Sequence, residues 1–69
     1  MNKKQWKAVY DFCKEYGYET PKELLQDLKG CGVIDHKDTL DSLSYYPNGN
    51  TYEDMFNWLK ENVLWKMVL

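Results

Sequence analysis

Arginine is absent from the chain, and all nine basic residues are lysine. Arginine supplies the bidentate contacts to guanine and phosphate on which sequence-reading nucleic-acid binders depend. The formal net charge is −2 and the isoelectric point is about 5.2. A nucleic-acid binder carries a basic footprint instead. Direct DNA or RNA binding is therefore not the expected role. Lysine in place of arginine, with many Tyr and Asn, also fits an AT-rich coding sequence, such as that of a low-GC bacterium or its phage.

Long apolar runs are lacking too, and none would cross a bilayer. The opening stretch, Met1-Asn2-Lys3-Lys4-Gln5-Trp6, has no apolar core of a signal peptide. The expected setting is the cytoplasm. There are two cysteines, Cys13 and Cys31. In a reducing cytosol two free thiols are favoured over one bridge. A structural zinc needs about four ligands. Cys13, Cys31 and His36 offer three at irregular spacing, so no metal and no cofactor are expected.

Catalytic constellations are missing. His36 is the only histidine, and no Ser or Cys stands beside it in a nucleophile motif. Asp35, Asp38 and Asp41 recur every third residue, whereas a calcium loop needs alternate acids and a glycine at its sixth position. Gly30-Cys31-Gly32 lacks the strand and helix that flank a phosphate loop. The expectation is a protein that is not an enzyme.

Aromatic rings are abundant: three Trp, six Tyr and two Phe in 69 residues. Each can bury on the order of 150–250 Å². A domain this small has a limited interior, so some rings should stand exposed, as they do at protein interfaces.

The apolar spacing predicts one all-α domain over residues 1–69, with three main helices and a short fourth. The first covers about residues 3–16. Trp6, Val9, Tyr10, Cys13 and Tyr16 fall on one face, and Gly17 serves as the stop. The second begins with Thr20 as cap, Pro21 at the first position and Glu23 closing a capping box. Leu24, Leu25 and Leu28 are its stripe, and Gly30 ends it. Residues 30–34 read as a buried connector. The short helix is expected around residues 38–45, with Asp35 or Asp38 as cap and Leu40 and Leu43 facing inward. Asp35, Asp38 and Asp41 then share its solvated face.

Pro47-Asn48-Gly49-Asn50 is a turn. Thr51 with Asp54 starts the last helix, whose stripe is Tyr52, Met55, Phe56, Leu59, Val63 and Met67. Trp58 and Trp65, two turns apart, lie on a second face near Leu64 and Val68. Such a helix is central in its bundle or buries the second face in a partner. The expected core holds Trp6, Val9, Phe12 or Cys13, Leu24, Leu25, Leu28, Val33, Leu40, Leu43, Met55, Phe56, Leu59 and Val63.

Charge is split along the chain. Residues 1–8 carry Lys3, Lys4 and Lys7 with no acid, while residues 35–54 carry Asp35, Asp38, Asp41, Glu53 and Asp54 against Lys37. Carboxylates interleaved with tyrosines suit a basic surface on another protein. The reading is a non-enzymatic protein–protein interaction module. Its sharpest form is a bacterial or phage accessory protein that inhibits a larger host protein, such as a defence nuclease. The expected partner-binding residues are Asp35, Asp38, Asp41, Tyr45, Tyr46, Trp58 and Trp65, with a homodimer as a further option. The alternative is a small helical DNA-binding regulator acting as a dimer through Lys3, Lys4 and Lys7. A helix–turn–helix around Gly30–Gly32 would present three aspartates to phosphate, which repel it.

Overall fold

The computed structural model describes residues 1–64. They are mostly helical and contain no strand. Helix α1 spans Lys3–Tyr16 and α2 spans Pro21–Gly30. A short 3-10 helix follows at Asp41–Tyr45. Helix α3 spans Tyr52–Leu59 and passes into a π-helical turn, Lys60–Leu64. Among these residues no helix is long and apolar enough to cross a membrane.

Helix α1 starts in a capping box. The Gln5 N–H donates to the Asn2 side chain at 2.7 Å, and the Asn2 N–H donates to Gln5 Oε1 at 3.1 Å. The Asn-x-x-Gln spacing that makes this box is present in the sequence. The helix stops where expected, at Gly17, which adopts the left-handed conformation with φ 84°.

Helix α2 begins at Pro21, but Thr20 does not cap it with its side chain. The Glu23 N–H, the donor that a capping box would give to the Thr20 hydroxyl, goes to the Thr20 carbonyl at 3.1 Å. The Glu23 carboxylate reaches one residue further back and accepts from the Glu19 N–H at 3.1 Å. The first turn is tighter than the box requires. At the other end Gly30 is the last helical residue, yet Gly32 turns the chain, with φ 76°. Gly32 N–H donates to the Lys29 carbonyl and Val33 N–H to the Leu28 carbonyl, which is the paired pattern of a Schellman stop.

The expected helix around residues 38–45 is replaced by a turn and the 3-10 helix. Asp38 accepts from the Asp35 N–H at 2.8 Å, and the Asp38 N–H donates to the Asp35 carbonyl at 3.0 Å. Short acidic side chains bind nearby N–H groups that a helix would need. Asp35, Asp38 and Asp41 consequently do not share a helical face.

The turn at Pro47-Asn48-Gly49-Asn50 delivers the chain to α3. A Cβ at Gly49 would collide with the Asp54 carboxylate, and φ there is 142°. Asp54 is held in place because it completes the Thr51 capping box, as the sequence predicts.

The core is one cluster: Ala8, Val9, Phe12, Cys13, Leu24, Leu28, Ile34, Leu43, Met55, Leu59 and Val63. Phe12 sits at its centre, with Phe56 edge-on at 5.5 Å and Tyr16 at 4.5 Å between ring centroids. Five expected core residues, Trp6, Leu25, Val33, Leu40 and Phe56, are only half-buried. Ile34 takes the interior place assigned to Val33. The two are adjacent on a non-helical segment, so one faces in and the other does not. Trp6 lies along Tyr10 at 5.9 Å, near the surface. Across 41 residues of chain, the Tyr52 hydroxyl donates to the Asp11 carboxylate at 2.9 Å and ties α3 to α1.

Both cysteines are free thiols, Cys13 buried and Cys31 exposed. Burial pushes the Cys13 thiol up to about 11, so it holds almost no thiolate at neutral pH. One thiol per folded chain is expected to react with an aromatic disulfide reagent, and Cys31→Ser should abolish that fast phase. Two fast thiols would show that the core over Cys13 opens readily.

Candidate partner-binding surface

The sequence-predicted aromatics divide by environment. Tyr45 is 87% exposed, at the end of the 3-10 helix. Tyr46, the next residue, turns its ring against Trp58 of α3 at 5.4 Å between centroids and 33° between planes. Tyr46 is partly exposed, and Trp58 is half-buried and packed against the core, so the pair forms a wall at the core's edge. The Tyr46 hydroxyl donates to the Asp38 carboxylate. Three predicted residues, Asp38, Tyr46 and Trp58, therefore meet in space.

The other candidates stand apart. Asp35 is exposed and braces Asp38 through its backbone N–H. Asp41 is exposed and pairs with the Met1 amino group at 3.2 Å. Trp65 lies outside the described residues, as do Met67 and Val68 of the predicted stripe.

Residues not singled out in the sequence complete the surface. Tyr46, Asn48, Asp54, Asn57, Trp58 and Glu61 line a hollow of about 270 Å³. Asp54, Asn57, Trp58 and Glu61 follow helical spacing of three and four, the periodicity that puts side chains on one face. In the sequence alone that spacing is indistinguishable from an ordinary solvated helix face. At Trp58 the carbonyl accepts from Asn62 Nδ2 at 2.8 Å, where α3 passes into the π turn. Such turns recur at functional sites.

The Asp38 carboxyl is held below the ordinary carboxylate range, first by the Tyr46 hydroxyl and then by the Asp35 N–H. The Tyr46 phenol is correspondingly raised, mainly by the same bond. A carboxyl lowered by folding stabilises the fold above its unfolded value of about 4, and that contribution disappears as pH falls through the lowered value. Asp38→Asn is expected to flatten the loss of urea midpoint between about pH 5 and pH 2. A variant whose midpoint falls as steeply as the natural protein's would remove Asp38 from the acid transition.

On the opposite charge pole, Lys4, Lys7, Thr51, Tyr52 and Glu53 line a hollow of about 420 Å³. Lys7 is already engaged. It pairs with Asp11 at 2.8 Å and lies 5.5 Å from the centre of the Tyr52 ring. The N-termini of α1 and α3 are both closed by their own capping boxes. Among the described residues no group of His, Cys, Asp and Glu is placed to hold a metal ion. His36 is exposed in the loop before the 3-10 helix. No known family matches the chain, and neither a curated protein nor a solved structure matches it.

Proposed function

We propose that the protein is a non-enzymatic interaction module that binds and modulates a larger protein through the surface around Tyr45, Tyr46 and Trp58. The observation that carries this reading is the aromatic wall. A small domain leaves Tyr45 almost fully in water and packs Tyr46 against Trp58 at the rim of an open hollow. Tyr and Trp in such positions dominate protein interfaces, because each offers a large apolar area with little conformational freedom to lose. Asp38, Asp54 and Glu61 lend the surface negative charge, which favours a basic partner. In its sharpest form the module is a bacterial or phage accessory protein that inhibits a host defence protein such as a nuclease. It works there in the cytoplasm, without a cofactor, as a bundle of three main helices and a short fourth element.

The DNA-binding alternative has less support. Of its three lysines, Lys7 is neutralised by Asp11, and Lys3 and Lys4 alone form a thin phosphate contact. The discriminating experiment places a photo-crosslinking amino acid at position 45 and, as a control, at position 10, where Tyr10 is also exposed. A protein adduct formed from position 45 alone, and unchanged by nuclease, is the expected result. Adducts lost on nuclease treatment, or formed equally from both positions, would overturn the assignment.

A further inference from the structure

Resting on that reading, we propose that the hollow lined by Tyr46 and Trp58 receives an arginine side chain of the partner. Its lining is the argument. Asp54 and Glu61 supply two carboxylates, Asn48 and Asn57 supply amide oxygens, and no lysine lines it. Asp54 uses Oδ2 to hold the Thr51 N–H and keeps Oδ1 for another donor. Glu61 is exposed and makes no ion pair among the described residues. The site thus holds two carboxylates and two amides, and among the described residues no cationic side chain lines it.

The aromatic wall decides which cation fits. A guanidinium is planar and weakly hydrated, and it stacks on an indole face while its donors point outward in the ring plane. Acceptors spaced along one face of α3 meet donors that fan out in this way. An ammonium is a compact, strongly hydrated point charge with no plane to lay on Trp58. Size agrees. At about 270 Å³ the hollow falls just below the roughly 300–1,000 Å³ of drug-sized ligand sites. It is on the scale of one long side chain. The Tyr46 hydroxyl is engaged by Asp38, which fixes the ring as a wall rather than leaving it to swing across the opening.

The test uses the whole chain, labelled with nitrogen-15, and three flexible peptides alike except at one central residue: arginine, lysine or neutral citrulline. Binding is followed by amide and indole shifts at low ionic strength. The arginine peptide is expected to move the Trp58 indole and the Asn57 and Glu61 amides, and to bind about tenfold more tightly than the citrulline peptide. Glu61→Gln, an exposed change that leaves the fold intact, should erase most of that preference. Lysine should fall between the other two. Equal binding of arginine and citrulline, or shifts scattered away from the hollow, would overturn the proposal. If position 45 still crosslinks a protein partner in that case, the interaction reading survives and only the arginine assignment fails. If the arginine peptide fills the hollow while position 45 captures no partner, the assignment stands and the wider reading falls.

Discussion

Phe12→Ala is expected to remove about a third or more of the protein's stability at 25 °C. Phe12 is fully buried and touches rings from three parts of the chain: Tyr16 of α1, Tyr18 of the following turn and Phe56 of α3. Truncating a buried phenylalanine costs about 3–5 kcal/mol, through lost transfer energy and the cavity left behind. Native stability is about 0.05–0.15 kcal/mol per residue, which for a chain of this length is roughly 3–10 kcal/mol in all. A loss of the first size consumes much or all of a total of the second. Helical ellipticity and a urea titration check it. A cooperative transition with its midpoint near that of the natural protein would show that the core can collapse around the missing ring. Tyr45→Ala is the contrast, because Tyr45 is 87% exposed and its removal should change stability by less than about 0.5 kcal/mol.

Trp58→Ala is expected to weaken partner binding by about 30-fold or more, the equivalent of a 2 kcal/mol hot spot. Among the described residues Trp58 is the one indole that lines the hollow, and it packs against Tyr46. Its removal also frees Tyr46 to move, so the loss should exceed that of any single rim carboxylate. Tyr46→Phe separates the two contributions. It keeps the ring on Trp58 and deletes only the bond to Asp38. A modest effect from Tyr46→Phe beside a large one from Trp58→Ala would place the energy in the aromatic contact. Affinity is to be measured on the partner captured from position 45, with helical ellipticity confirming that each variant is folded. Binding kept within about twofold by folded Trp58→Ala would move the contact elsewhere on the surface.

Where the helices differ from the sequence expectation, the causes are local. The α1 boundaries and the α3 start were legible because they depend on a few adjacent residues: Gly17 free to adopt positive φ, and the Thr51–Asp54 pair closing on itself. The Thr20–Glu23 pattern had the same letters and a different outcome. There the carbonyl rather than the hydroxyl of Thr20 took the decisive N–H. Residues 38–45 depart from the expected α-helix because spacing of three suits a helix, while Asp38 binds the Asp35 backbone through both its side chain and its N–H. For the site, the sequence pointed to Asp38, Tyr46 and Trp58 separately, without Asn48, Asp54, Asn57 or Glu61.

On α1 the buried apolar face is Ala8, Val9, Phe12 and Cys13, with the expected Tyr10 exposed, and α2 starts without the expected Thr20 cap. What the sequence by itself determined, then, is the helical character, the ends of α1, the start of α3 and the apolar stripes of α2 and α3. These follow from interactions within a turn or two of chain, where residue type and spacing are enough. The tertiary structure alone decided that Ile34 rather than Val33 enters the core, and that Tyr46 meets Trp58 while Asp41 turns toward Met1. Those outcomes join residues far apart in the chain. No local preference selects among such pairings, because the packing of the whole core sets which surfaces come together.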